Sequence, residues 1–413
     1  MANRYWVAAT ANTWNGTAGT KWSTTSGGTG GAAVPTAADD VFFDASSPSN
    51  CTTLGARVCR SLNFTGYTKA FTFGTSSPVS IGDASAPADS VALKFSSGMS
   101  VSFSGILETQ IVFVSTYSGA AQTITTAGKS LGNCVVQFGP AAASSAIYSL
   151  SDAITSVFAL SVRSGIFRSN GNNITADSGL TSTTSNAKTI DLGTSTVTIN
   201  IGMNGWAGTN TTFSVADTKL VINGGPTYSQ TIDLAGQTWG DLEWQLRSSG
   251  ATADLTQTLK CAGASVKTLL FNVISTSTTY KNTVGIDTYP TFFTVTGLRA
   301  SLFGAGEDTS GPFVVDGLGP ENQTYLEKTG LASDAGIKVL SPIPCILRAA
   351  ALKNLRFFSD SSSYDVEGRF FACPSLQFFS SPPKSSIDNG GNSGIRFTEA
   401  PMYGKQSMLG CGI

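Results

Sequence analysis

The 413-residue sequence contains no histidine. That removes every mechanism that needs an imidazole: Ser-His-Asp and Cys-His nucleophile pairs, His-ligated zinc and imidazole proton shuttles. Charge is scarce as well, at 12% of residues against about 25% in an ordinary soluble domain. Net charge is −1 and Lys and Arg form no basic run, so nucleic acid is not an expected partner. No apolar stretch approaches the roughly 18 residues of a membrane span, so membrane insertion is not expected. Met1-Ala2-Asn3-Arg4-Tyr5-Trp6 lacks a basic segment followed by an apolar run, so no cleaved export signal is expected either. The seven cysteines (Cys51, Cys59, Cys134, Cys261, Cys345, Cys373, Cys411) include no C-x-x-C and fit reduced, buried thiols better than a disulfide framework. Cys51 and Cys59 are the one pair close in sequence and so the one place for a bridge.

What the chain does contain is glycine (45 residues), serine and threonine around a 41% hydrophobic fraction. These are strand and turn residues, and few strong helix formers accompany them. Residues 1–50 stand apart as an N-terminal cap or attachment segment. Trp6, Trp14 and Trp22 recur at an even spacing, a Gly-rich stretch follows, and Pro35-Thr36-Ala37-Ala38-Asp39-Asp40 leads into Val41-Phe42-Phe43. Two roles suit the tryptophans: covering the open end of a core, or docking on a partner or sugar during assembly.

From 51 to 300 short runs alternate apolar and polar residues, as in Phe71-Thr72-Phe73, Val79-Ser80-Ile81, Val101-Ser102-Phe103 and Val197-Thr198-Ile199, each bounded by Gly, Ser, Pro or Asn. A helical period is not sustained anywhere in this span. The segment Gln122-Thr123-Ile124-Thr125-Thr126-Ala127-Gly128 is nearly repeated as Gln230-Thr231-Ile232-Asp233-Leu234-Ala235-Gly236, with a partial copy at Lys188-Thr189-Ile190-Asp191-Leu192-Gly193. A recurring strand, Gly turn and strand is the mark of a unit that cannot bury its apolar side alone and stacks to do so. The predicted fold is therefore all-β, a right-handed parallel β-helix whose shaft spans 51–300. Coils of roughly 20 to 25 residues would give about ten to twelve rungs, on the order of 50 to 60 Å long. Ser and Thr on the outer face explain how so little charge suffices.

Residues 301–413 carry more charge and are expected to form a distinct C-terminal β region. The segment from Pro342 to Phe358 is the one serious helix candidate, but Leu352-Lys353-Asn354-Leu355-Arg356-Phe357 alternates cleanly and favours strands.

Arg4-Tyr5-Trp6-Val7 with Thr13-Trp14-Asn15, Lys21-Trp22-Ser23 and Val34-Pro35-Thr36-Ala37-Ala38-Asp39-Asp40-Val41, the Ala-Gly-x-Ser/Thr-x-Gly-Asn/Asp coils, and the tail from Leu352 to Asp360 and Ser385 to Thr398 together resemble the β-helical virion structural proteins of tailed bacteriophages. The resemblance implies a virion component, a tail fibre, spike or other appendage, that assembles as a homotrimer with other virion proteins and attaches to the host surface. The region from Gly304 to Ser381 departs from that pattern.

A depolymerising tailspike would need paired carboxylates in a groove. Asp39/Asp40 reads better as a turn feature, and Asp241 and Glu243 would share one strand face without declaring a site. Glu307-Asp308 and Asp388-Asn389-Gly390-Gly391-Asn392 lack the spacing of a calcium loop. No enzyme activity, cofactor or metal is expected. Trp244 alternates with Leu242 as a core residue would, whereas Trp206 in Asn204-Gly205-Trp206-Ala207-Gly208 sits in a turn and is the candidate for stacking on a glycan. The competing functions are a glycan-depolymerising tailspike and a capsid decoration protein.

Overall fold

The computed structural model describes residues 2–301 apart from 18, 76–77, 105–108, 183, 201–209, 224–229, 248–254, 262, 276–281 and 288–292, and beyond 301 the strands alone. The chain is all-β with almost no helix, and its parallel strands stack into a β-solenoid of about 8 turns. It divides into two units, one of Met1–Gly224, Gln230–Glu243 and Ala264–Val266, the other of Gly225–Ser229, Trp244–Gly263 and Lys267–Ile413.

In the first unit each coil returns to the same sheet one rung higher. One sheet stacks Asn3–Trp6, Asp40–Phe42, Ser61–Asn63, Val91–Lys94, Ala121–Thr125, Ile147–Leu150, Gly165–Arg168, Lys188–Asp191 and Thr211–Ser214 in parallel. A second stacks Arg57–Cys59, Val79–Ile81, Gln110–Phe113, Val135–Phe138, Ile154–Val162, Ile174–Thr181, Thr196–Ile199 and Lys219–Asn223. A third has four strands, Asn12–Trp14, Cys51–Thr53, Ala70–Phe73 and Ser100–Phe103. The first coils are thus three-sided. From Ala121 to Asn223 the described coils of this unit use two sheets.

Residues 1–50 already belong to this stack, since Arg4 pairs with Val41 and Val41 with Leu62. Coil length varies more than expected. Leu62 pairs with Leu93 but Tyr148 with Phe167, so the first of these coils is more than half as long again as the second. Part of the surplus lies in residues 82–90, which contain a short 3-10 turn at Ala88–Ser90. The coils that carry Phe167 to Ile190 and Ile190 to Phe213 are equal in length.

Alternation decides which side chains enter the core. Along Ala70–Phe73, Val135–Phe138 and Thr196–Ile199 buried residues alternate with half-buried ones. The inward residues stack on their counterparts in adjacent coils. Phe113 lies 5.1 Å from Phe138 at 4°, Phe43 lies 5.0 Å from Phe64 at 18°, and Phe73 lies 4.8 Å from Phe103 at 8°. Outside, hydroxyls and amides pair between rungs: Thr72 with Ser102 at 2.9 Å, and Asn223 Nδ2 to Asn200 Oδ1 and Asn200 Nδ2 to Asp177 Oδ1, both at 2.6 Å. These contacts occupy polar groups with little use of charge, which is how a chain with 12% charged residues solvates its surface.

The repeated Ala-Gly steps are tight corners. Lys129 N–H donates to Thr126 O and Gln237 N–H to Leu234 O, closing turns whose central residues are left-handed: Ala127 at φ 52° with Gly128 at 70°, and Ala235 at 55° with Gly236 at 65°. The same corner at Asn170-Gly171 has Asn170 at φ 54°. Alanine in that region costs more than asparagine, because its Cβ crowds the following carbonyl without a polar side chain to compensate. Ala127→Asn and Ala235→Asn are each expected to stabilise the chain by about 0.5–1 kcal/mol, read as a raised urea midpoint with unchanged slope.

In the second unit the same rule holds. Leu255–Lys260, Asn282–Asp287, Thr324–Lys328, Ala350–Lys353 and Ile387–Asp388 pair successively in parallel, as do Val314–Asp316, Cys345–Arg348, Leu376–Phe379 and Arg396–Thr398. Pairing therefore continues through residue 301 without a change of type. The helix candidate is strand throughout its described part, at Cys345–Arg348, Ala350–Lys353 and Phe357–Phe358.

Candidate binding surface

The N-terminal tryptophans close the end of the core. Trp6, Trp14 and Trp22 are each 0% exposed. Trp22 packs edge-on against Trp6 (5.2 Å) and Trp14 (5.4 Å), and Trp6 and Trp22 both meet Phe43 (5.6 and 6.0 Å). The strand Trp22–Ser23 is antiparallel to Asn3–Trp6 and ends the first sheet, and the Gly-rich segment folds back through Gly31 and Ala32 N–H groups that donate to Trp22 O. These rings serve the core and offer no surface to a partner. Trp244 and Trp239 are also 0% exposed, whereas Trp206 lies outside the described residues.

The acidic candidates have structural roles. Asp39 Oδ2 accepts from Thr36 N–H (3.0 Å) and Thr36 Oγ1 (2.9 Å), while its Oδ1 accepts from Ala2 N–H (3.0 Å). Burial acts to raise the Asp39 pKa, but the Thr36 and Ala2 hydrogen bonds and the Arg4 charge together bring it below its usual value of 3.8. A folded-state pKa below the unfolded one contributes stability that is present above the unfolded value and is lost as pH falls through the folded one. Acidification below about pH 4 should therefore loosen this corner, read as falling amide protection at Ala2 and Thr36 while the strands Lys188–Asp191, Thr196–Ile199 and Lys219–Asn223 stay protected.

Asp40, 1% exposed, accepts from Arg60 Nε (2.9 Å) and Ser61 Oγ (2.7 Å), and Arg60 Nη2 completes a two-pronged pair. Glu243 is buried and pairs with Lys219 at 2.8 Å, whereas Asp241 is exposed. Lys188, 4% exposed, braces its own loop by donating to Thr184 Oγ1 (3.3 Å) and Asn186 O (3.1 Å), and burial lowers its pKa. Cys51, Cys59 and Cys134 are buried thiols outside any disulfide, and Cys261 is buried as well. Burial pushes the thiols of the first three up, Cys134 to about 12. Cys51 and Cys59 thus form no bridge. Among the described residues no three His, Cys, Asp or Glu side chains come together for a metal, and no helix is long and apolar enough to cross a membrane. Glu307-Asp308 and residues 389–392 lie outside the described residues.

What the coils do assemble on the outside is a strip on the first sheet. Register aligns Tyr5, Phe42, Asn63, Lys94 and Thr125 in one column, on successive rungs about 4.8 Å apart. Tyr5 and Phe42, both half-buried, stack at 4.9 Å and 17°. Aromatic rings followed by an amide, an ammonium and a hydroxyl can contact the apolar faces and the hydroxyls of an extended polymer laid along the axis. The strip was invisible in the sequence, because each member comes from a different coil and the unequal coil lengths alone bring them into line.

No family model, curated protein or solved structure matches the chain.

Proposed function

We propose that the protein is a non-enzymatic structural component of a bacteriophage virion, a fibre- or spike-like appendage that assembles as a homotrimer and attaches to host-surface glycan. The observation that carries the reading is the solenoid of about 8 parallel turns with a closed aromatic core and an outer face of Ser, Thr and Asn. Stacked rungs hold every internal strand on both edges, so each unit is a stiff body that can carry a binding face. The resemblance of both chain ends and of the Ala-Gly coils to phage β-helical proteins supports the virion assignment. The described buried acids are committed to Thr36, Arg60 and Lys219, which favours binding over glycan cleavage.

Immunogold electron microscopy of the particle tests the placement: label on the tail supports an appendage, label across the head supports a capsid decoration protein. A panel of host polysaccharides tests the activity. Binding that weakens in Phe42→Ala and Lys94→Ala without release of oligosaccharide supports attachment, and release of fragments establishes a depolymerase instead.

A further inference from the structure

Directly after the strand Asn12–Trp14 comes Asn15-Gly16, with Asn15 half-buried and Gly16 exposed. Asn15 Oδ1 accepts two hydrogen bonds, one from Thr17 N–H and one from the Lys21 ammonium, both at 3.1 Å. Lys21 is fixed there by a further bond to Thr13 O at 3.0 Å. We propose that this corner is a self-modification site, at which the fold promotes conversion of Asn15 to aspartate or isoaspartate through a cyclic imide with Gly16.

The chemistry needs only water. The Gly16 backbone nitrogen attacks Asn15 Cγ and gives up its proton to solvent. The new N–Cγ bond replaces the Cγ–Nδ2 bond, and Nδ2 takes a proton and leaves as ammonia. Water then adds to one imide carbonyl and opens the ring to a carboxylate. Negative charge develops on Oδ1 in the first step, and that oxygen already faces an N–H and an ammonium, the arrangement that stabilises an oxyanion. Glycine at position 16 leaves the attacking nitrogen unshielded.

At two other Asn-Gly steps with a described asparagine a hydrogen bond holds the leaving amide in place: Asn170 donates its Nδ2 to Leu150 O at 2.9 Å, and Asn223 donates its Nδ2 to Asn200 Oδ1 at 2.6 Å. At Asn15 the held atom is the oxygen instead. The product carboxylate would lie beside the Lys21 ammonium and join the strand ending at Trp14 to the one beginning at Trp22 by an ion pair.

The test is timed peptide mapping of the intact chain at neutral pH, in the folded state and in guanidinium chloride. Asn15 should convert faster folded than unfolded, and faster than Asn170 in the same sample. Lys21→Met should slow the folded rate about tenfold, the lower end of what one charge-assisted hydrogen bond provides, and leave the unfolded rate unchanged. Gly16→Ala is sterically tolerated, since the added Cβ meets only Arg57 Nη1 at 3.6 Å, and should suppress conversion in a chain that keeps its thermal stability. A folded rate equal to or below the unfolded one, or a folded rate unaffected by Lys21→Met, overturns the proposal.

Discussion

Removing the Asp40 carboxylate should cost about 3–5 kcal/mol. Asp40 and Arg60 are 1% and 8% exposed, and the guanidinium grips the carboxylate through two nitrogens while Ser61 Oγ donates to the same side chain. Asp40→Ala takes the two-pronged partner from a buried cation and leaves it the weaker charge contacts with Asp83 and Asp39, so the cost is the poorly compensated charge more than the lost attraction. If that account is right, the double variant Asp40→Leu with Arg60→Met recovers most of the loss, because it removes both charges and returns the volume. Urea unfolding of the two variants decides between them. Equal losses in both would mean that the pair itself, and not the stranded arginine, supplies the stability.

The second large effect is expected at Trp22. Trp22→Ala empties a site bounded by Trp6, Trp14 and Phe43, and loss of a fully buried aromatic of this kind costs about 3–5 kcal/mol. The consequence extends beyond the cavity. The strand Trp22–Ser23 ends the first sheet, so loosening it uncovers the edge of Asn3–Trp6, and an uncovered edge is a template for association. Light scattering should rise in Trp22→Ala before bulk unfolding begins. Trp22→Phe is expected to be far milder, because Trp22 Nε1 is buried and among the described residues has no hydrogen-bond partner, so the smaller ring removes an unsatisfied donor while keeping most of the packing.

Both effects bear on what the sequence could and could not reveal. Alternation within runs such as Phe71-Thr72-Phe73 and the duplicated Ala-Gly corners were legible, because they depend on neighbours along the chain. The tryptophan spacing pointed to a covered core end for the same reason: all three residues fall within one short segment. The Asp40–Arg60 pair was not legible. Asp39 and Asp40 are adjacent and look alike, yet one fastens a turn through Thr36 and the other neutralises an arginine one coil further on. Which carboxylate meets which partner depends on the length of a coil, and that length differs widely between the Leu62–Leu93 and Tyr148–Phe167 steps of the stack. The strip of Tyr5, Phe42, Asn63 and Lys94 was hidden by the same irregularity. The end of the third sheet was hidden too, since Val101-Ser102-Phe103 reads like any other rung and nothing in its own residues says that the next coil will turn directly from one sheet to another.

The equal coils from Phe167 through Ile190 to Phe213 have a mechanical consequence. Each is joined to its neighbours by short parallel ladders, so tension applied through the chain loads the outermost ladder alone. Release of one such coil frees roughly 75–80 Å of extended chain and transfers the load to an equivalent ladder beneath. Two coils of this kind yield to a pull in equal, separate steps, giving matched teeth in the force trace and dissipating work at each, whereas the unequal coils nearer the N-terminus release lengths of their own.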